Sequence, residues 1–422
     1  MIDEYMGNLN NCVALETVGC KLNQAESESL INRFAERGYR IIPHSNAASV
    51  YILNTCTVTH IADRKCRHLL RLARRLNSHA LIIAIGCYAE RAADDLHRVA
   101  GVDMVFGNEE KLQLPDILMK QGRLGVGSAL SPQMHRTRSL VKVQEGCNQF
   151  CSYCVVPMVR GRERSLPADE VVLEIRARVE RGYREVVLTG TQIGSYRNGI
   201  EFLIQRILDE TKVKRLRLSS LQPPDITKEL LSLWHKYPKM LCRHIHLPLQ
   251  SGSDVVLQRM GRQYSTDIYE QAVARVREAI PDVAITTDLI VGFPGETDED
   301  FAESYQFCQR MAFANIHVFP YSKRSGTHAA QMPERVDEQV KKQRSRQMLL
   351  LAKQSAYNFR EQFMGRTMLV LWERESNDST WEGLTDNYIR VVARSNEPLQ
   401  NRLIPALLGS EHNSSLRASI SQ

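Results

Sequence analysis

What this 422-residue chain lacks narrows the field first. It has no apolar run long enough to span a bilayer, which takes roughly 20 residues, so no membrane role is expected. The opening stretch MIDEYMGNLNNCVALET is acidic and lacks the basic-then-apolar order of a secretory leader. The expectation is a cytoplasmic location and a reducing environment. No low-complexity tract, heptad run or repeat of roughly 20–50 residues occurs, which sets aside coiled coils and solenoids. Neither sign of charge dominates. The 55 Lys and Arg exceed the 48 Asp and Glu by +7, which permits an acidic partner such as RNA without requiring one. Ten cysteines are present, and in a reducing compartment they point to metal ligation or catalysis rather than disulfides.

A chain of this length divides into more than one domain. In residues 1–122, strand and helix patterns alternate. Cys12–Thr17, Ser49–Leu53, Ala80–Ile85 and Val102–Phe106 read as strands, and Asn23–Arg37 as a helix. Such alternation predicts an α/β fold with a doubly wound parallel sheet. Cys20, Cys56 and Cys87 each follow one of the first three strands. Ligands of such sheets bind outside the carboxyl ends of the strands, so the three thiols are expected to converge at one edge. Gln121–Arg138 is rich in Gly, Ser and Arg and reads as a linker.

Residues 136–363 show six strand patterns, each trailed by a helical one: Leu140–Gln144, Glu185–Thr189, Arg215–Ser219, His244–Leu249, Ala284–Val291 and Asn315–Tyr321. That predicts a partial (β/α)6 barrel with its chemistry at the carboxyl ends of the strands. A long helix near 337–363 closes the block. Residues 364–422 have β-rich runs, at Met368–Trp372 and Asn387–Ala393, and no helical period, which predicts a small β-barrel.

The segment GCNQFCSYC sets Cys147, Cys151 and Cys154 as C-x-x-x-C-x-x-C at the end of the first barrel strand. A cubane cluster takes four thiolates where all its irons are protein-bound; three leave one iron open to a ligand. The alternatives are a zinc knuckle or three buried thiols. Zinc wants a fourth Cys or His at short spacing, and none follows Cys154. Cys12, Cys66, Cys242 and Cys308 read as buried thiols rather than ligands.

This spacing is that of the radical-SAM superfamily, and the likeness extends to its methylthiotransferases over nearly the whole chain. TVGCKLNQAES at 17–27, NTCTVT at 54–59 and IGCYAER at 85–91 resemble their N-terminal domain. VQEGCNQFCSYCVVPMVRGRERS at 143–165, HIHLPLQSGSDVVLQRMGR at 244–262 and DLIVGFPGET at 288–297 resemble their catalytic core. WEGLTDNYIRV at 381–391 resembles their RNA-binding β-barrel, of TRAM type. The resemblance implies two [4Fe–4S] clusters, one on Cys147, Cys151 and Cys154 and a second on Cys20, Cys56 and Cys87, with S-adenosylmethionine (SAM) as co-substrate. It further implies methylation of a sulfur carried by the second cluster, then radical abstraction of hydrogen from an unactivated carbon, then CH₃S transfer. An electron donor such as flavodoxin or ferredoxin would feed the reaction.

Cofactor contacts are expected from Gly190, at the end of the second barrel strand, and from Gln250 and Ser251, after the fourth. Gly292, Pro294 and Gly295 of IVGFPGE should let backbone approach the adenine. Tyr153 can cover the cluster or that adenine. Arg64, Arg67, His68, Arg71, Arg74 and Arg75 lie at helical spacing beyond Cys56; of these Arg67, Arg71 and Arg74 are the candidates for phosphate contact, against the alternative of a merely solvated face. Arg160, Arg162 and Arg164 alternate and could point together toward the barrel mouth. On the β-barrel, Arg366, Arg390, Arg394 and Arg402 suit RNA.

Three substrates remain by resemblance: threonylcarbamoyladenosine or isopentenyladenosine at position 37 in the anticodon loop of tRNA, or an aspartate of a ribosomal protein. VGCKLNQAES and CRHIHLPLQSG resemble the threonylcarbamoyl subgroup. The reading from another class is an RNA-binding iron–sulfur or zinc protein without catalysis.

Overall fold

The computed structural model describes residues 12–99, 101–121, 136–376 and 379–420. Most of the expected linker, residues 122–135, lies outside them. Among the described residues, no helix is long and apolar enough to cross a membrane.

The N-terminal sheet has five strands: β1 (Cys12–Thr17), β2 (Arg40–Ile42), β3 (Val50–Thr55), β4 (Leu81–Gly86) and β5 (Met104–Phe106). All are parallel, in the order β2-β1-β3-β4-β5. One strand more is present than the sequence pattern suggested, the three-residue β2. β3 and β4 are apolar on both faces because both faces are covered. Tyr51, Leu53, Ile82 and Ala84 pack with Cys66, Leu70 and Ala73 of helix α2 (His60–Leu76). The alternate residues Val50, Ile52, Ile83 and Ile85 pack with Leu30 and Phe34 of helix α1 (Lys21–Glu36). A short helix α3 (Cys87–Arg91) starts directly at the end of β4.

The central strands are β6 (Arg138–Lys142), β7 (Glu185–Thr189), β8 (Arg215–Leu218), β9 (His244–His246), β10 (Ala284–Val291) and β11 (Asn315–Pro320). They form two parallel ladders, β6-β7-β8 and β9-β10-β11, joined by single bridges at Leu216–Leu241 and Ser220–His246. Among the described residues no pairing closes β6 onto β11, so this is a partial barrel, open on one flank. Arg138, expected in the linker, begins β6. Helix α4 (Val156–Arg160) follows the Cys147–Cys154 loop, and α5 (Glu338–Glu361) packs along β11.

The C-terminal strands β12 (Thr367–Glu375), β13 (Thr380–Thr385), β14 (Arg390–Arg394), β15 (Leu403–His412) and β16 (Ser415–Ile420) close into a barrel around Val370, Trp372, Val391, Leu408 and Leu416. The strand expected from Asn387 begins only at Arg390, because Thr385–Ile389 turns back on itself. This barrel docks under the amino ends of the central strands. Arg217 donates to the carbonyls of Thr385 (3.2 Å) and Asp386 (2.8 Å). Arg243 pairs with Asp386 (2.7 Å) and Arg138 with Glu373 (2.6 Å). Tyr388, at φ +70°, projects into the central barrel and stacks on His244 at 4.5 Å.

The N-terminal domain packs α1 along β6, where Ala25 meets Leu140 and Val187, and reaches the loop after β11 with α2. Arg324 pairs with Asp63 at 2.6 Å, and the Glu28 carboxylate accepts from Ser139 (3.2 Å) and Arg178 (2.7 Å). At the centre of this junction Glu26 of α1, 2% exposed, takes Lys111 at 2.5 Å and Arg160 at 3.0 Å. Burial alone would raise the Glu26 carboxyl, yet Lys111 and Arg160 overcome it and hold the group near 2.

Glu26→Gln leaves these two buried cations short of their counter-charge and should cost about 3–5 kcal/mol at neutral pH. A depressed carboxyl contributes fully above its ordinary value and loses that contribution as pH falls through the folded value. Denaturant melts of both proteins should therefore show the wild-type advantage shrinking from pH 4.5 toward 2. An equal difference at every pH would remove Glu26 ionisation from the account.

Candidate active site

Two groups of three cysteines meet at the junction of the first two domains. Cys20 caps the amino end of α1, Cys56 follows β3, and Cys87 opens α3. The chain can bring Cys20 beside Cys56 because Gly19 stands between them at φ +117°. A Cβ there would lie 2.7 Å from that of Cys56. Gly86, at φ +92°, plays the same part before Cys87, where a Cβ would meet Asn54 Oδ1 at 2.4 Å. Burial pushes the Cys56 thiol up to about 12, and it raises Cys87 against the pull of Arg160 and Lys111.

Cys147, Cys151 and Cys154 occupy the loop between β6 and α4. Burial raises Cys147 and pushes Cys154 up to about 12. Donors are nevertheless aimed at these sulfurs: Gln149 N at 3.3 Å from Cys147, Val156 N at 3.5 Å from Cys154, and Arg262 Nη1 at 3.3 Å from Cys151. A neutral thiol has little use for such donors; a metal-bound thiolate does, since metal deprotonates the thiol outright. Among the described residues no three His, Cys, Asp or Glu gather as a single ion would need. A cubane asks for wider spacing, because its irons sit at separate corners. The three barrel thiols, with donors trained on their sulfurs, therefore fit an iron–sulfur cluster.

The two groups are coupled directly. α3 packs on α4, and Asn108 Nδ2 donates to Val159 O at 2.6 Å while lying 3.8 Å from Cys87 Sγ. Arg160 turns away from the barrel mouth to bond Glu26 and Asn23 Oδ1 (2.6 Å). Arg162 lies over Phe150 at 4.6 Å, and Arg164 pairs with Glu145 at 3.1 Å. The three arginines therefore do not converge as their alternation suggested, since each is captured by a different neighbour.

Beneath Cys20 a cavity of about 980 Å³ runs down the inside of the central barrel to Tyr388, and Lys21, Thr189, Gly190, Ser219 and His244 line it. A second, of about 630 Å³, lies between α2 and the barrel, lined by Gly292, Pro294 and Tyr321. Burial would raise Tyr388, but Lys21, Arg138 and Arg217 outweigh it and lower the phenol.

Of the expected cofactor contacts, Gly190 borders the first cavity and Gly292 and Pro294 the second. Gly295 donates its N–H to Glu334 O (2.7 Å). Gln250 adopts φ +69° and exchanges backbone bonds with Asp288 and Ile290. Ser251 corrects its expectation: its buried hydroxyl faces Ser304 Oγ at 3.1 Å and accepts from Ser253 N, so it is turned into the fold. Tyr153 packs edge-on against Phe293 at 6.4 Å. On α2, Arg74 bonds the carbonyls of Ser78, Ala80 and Gly101 together with Asp103, and Arg67 bonds Tyr88 Oη at 2.7 Å. Helical spacing cannot distinguish these two from the exposed Arg64, Arg71 and Arg75, and they drop out of the expected phosphate face. On the small barrel, Arg366 is spent on Asp282 and Arg402 on Glu397, leaving Arg390 and Arg394 exposed. Sequence reasoning missed Arg262, Asn108 and Lys21. Lys21 carried a signal, its place next to Cys20.

Residues 141–308 match the family described as "Radical SAM superfamily", and residues 12–107 that described as "Uncharacterized protein family UPF0004". Among solved structures, the radical S-adenosylmethionine methyltransferase TsrM from Kitasatospora setae shares the fold at TM-score 0.57 and 16% identity. The match covers 76% of this chain and 77% of that one. Fold and site define a radical-SAM enzyme, which takes SAM and a [4Fe–4S] cluster. "Threonylcarbamoyladenosine tRNA methylthiotransferase MtaB" of Bacillus subtilis is 36% identical, over 93% of this chain and 92% of its own. The protein of that name from Aquifex aeolicus is also 36% identical, over 90% and 96%. "tRNA-2-methylthio-N(6)-dimethylallyladenosine synthase" of Acetivibrio thermocellus is 33% identical, over 96% and 90%. The chain belongs to the radical-SAM methylthiotransferase family.

Proposed function

We propose that this enzyme adds a CH₃S group to C2 of N6-threonylcarbamoyladenosine 37 in the anticodon loop of tRNA. The observation that carries the reading is the meeting of the two cysteine groups across α3 and α4, with a cavity opening beside Cys20. Its substrate identity leans on the 36%-identical relatives of that name.

Cys147, Cys151 and Cys154 would hold one [4Fe–4S] cluster with SAM at its open iron, and Cys20, Cys56 and Cys87 a second. In the barrel the cluster would supply an electron for reductive cleavage of bound SAM, chemistry that no side chain offers. The chain's own part is positional. Gly19 and Gly86 let Cys20, Cys56 and Cys87 draw together. Arg262, Gln149 N and Val156 N neutralise charge on the barrel sulfurs. The Glu26–Arg160 pair locks the two domains so that both groups face the same substrate atom. The cytoplasm, where thiols stay reduced, and a small electron carrier such as flavodoxin or ferredoxin complete the setting.

Anaerobic reconstitution should give about eight irons per chain, falling to about half when Cys147, Cys151 and Cys154 become Ala. Cys20→Ala, Cys56→Ala or Cys87→Ala should keep 5′-deoxyadenosine formation and abolish methylthio transfer. Variants that lose SAM cleavage while retaining the barrel cluster would overturn that division of labour.

Mass spectrometry of tRNA nucleosides from cells lacking the protein should show unmodified threonylcarbamoyladenosine accumulating. Loss of the methylthio-isopentenyl nucleoside instead would reassign the substrate, and no change in either would send the search to protein substrates.

The exposed arginines of α2 are proposed to meet phosphate. Arg64, Arg71 and Arg75 changed together to Gln should flatten the log–log salt dependence of tRNA binding by up to about three units. The modified adenosine accepted should not change, since backbone contacts position rather than specify. Identical slopes would retire this face.

A further inference from the structure

Lys21, a half-buried cation lining the cavity beneath Cys20, has no partner among the described residues. Lys21 starts α1 beside Cys20 and sends its side chain down into the central barrel, where Nζ lies 5.7 Å from the centre of the Tyr388 ring. Its neighbours are all committed. Arg217 is held by Glu185 at 2.7 Å. Arg138 is held by Glu373 at 2.6 Å and Tyr388 Oη at 3.2 Å. Asp288, the carboxylate on this wall, faces His246 at 3.4 Å. Among the described residues Lys21 Nζ makes no hydrogen bond and no ion pair.

Other polar atoms on the same wall stand idle. Among the described residues, Thr189 Oγ1, Ser219 Oγ and His244 Nδ1 are buried without a hydrogen-bond partner, and all three residues line the cavity. Buried polar groups are ordinarily paired, and leaving each one unpaired costs about 1–3 kcal/mol. An idle ammonium with three idle polar atoms around about 980 Å³ of space describes a site that a ligand completes. An aliphatic group would leave all four unsatisfied.

We propose that Lys21 determines substrate specificity by binding the carboxylate of the N6 substituent of the target adenosine, with Thr189, Ser219 and His244 meeting its amide and hydroxyl groups. This rests on the threonylcarbamoyl reading above and deepens it: the threonyl carboxylate separates that substrate from the isopentenyl one, which carries no charge. A site that hydrogen-bonds a polar group rejects an analogue lacking it far more strongly than an apolar pocket rejects an added one.

The test uses the reconstituted enzyme and three anticodon stem-loops, bearing threonylcarbamoyladenosine, its methyl ester, or isopentenyladenosine. Wild type should prefer acid over ester in kcat/KM by about tenfold to hundredfold. Lys21→Met should bring that ratio near one, and Lys21→Arg should keep part of it. Equal use of acid and ester by wild type overturns the inference while leaving the threonylcarbamoyl assignment intact. Activity on the isopentenyl stem-loop alone overturns the assignment itself. SAM also bears a carboxylate, so SAM affinity is measured in parallel: a Lys21→Met variant weakened for SAM with its acid-to-ester ratio unchanged moves Lys21 to the cofactor and sinks the proposal. Should Lys21→Met fail to fold, the acid-to-ester ratio in wild type and Lys21→Arg still decides.

Discussion

The arrangement of this molecule hangs on one buried carboxylate. Glu26 sits on a helix of the N-terminal domain, Arg160 follows the cysteine loop of the barrel, and Lys111 closes the far side of the N-terminal sheet. Three charges taken out of water at a domain junction are costly, and only close mutual pairing offsets that cost. The pairing therefore tolerates little displacement. Arg160 also bonds Asn23, which in turn bonds the carbonyls of Val18 and Thr55, flanking Cys20 and Cys56. One ion cluster thus fixes the distance between the two cysteine groups.

At the other end the constraint is steric closure. The central strands do not close on themselves, so their interior would stand open to solvent at the floor as well as on the flank. The C-terminal barrel fills the floor with Tyr388, anchored through Arg215, Arg217 and Arg243 to its loop. The C-terminal barrel is thereby also part of the cavity wall, to which Tyr388, Ile389 and Arg390 contribute.

The thiols show how far the protein alone prepares its chemistry. Burial raises the Cys56, Cys87, Cys147 and Cys154 thiols, while backbone and guanidinium N–H groups point at the sulfurs of Cys147, Cys151 and Cys154. Orienting donors before the charge exists is the general device of metal sites.

The sequence by itself determined the three-block order, the parallel strands and the two cysteine groups, because each is written in local terms: apolar runs of strand length, helical spacing between them, and thiols at fixed offsets from strand ends. Resemblance extended this to the family. What only tertiary structure decided was which polar side chains remain free. Ser251, Arg67, Arg74 and Arg366 looked available along the chain and are consumed by Ser304, Tyr88, Asp103 and Asp282. Lys21 looked like the first residue of a helix and is a cation of the cavity uncommitted among the described residues. The difference is physical: strand and helix patterns depend on neighbours within a few residues, whereas the fate of a charge depends on distant partners, 21 positions away for Arg67 and Tyr88 and 261 for Arg324 and Asp63.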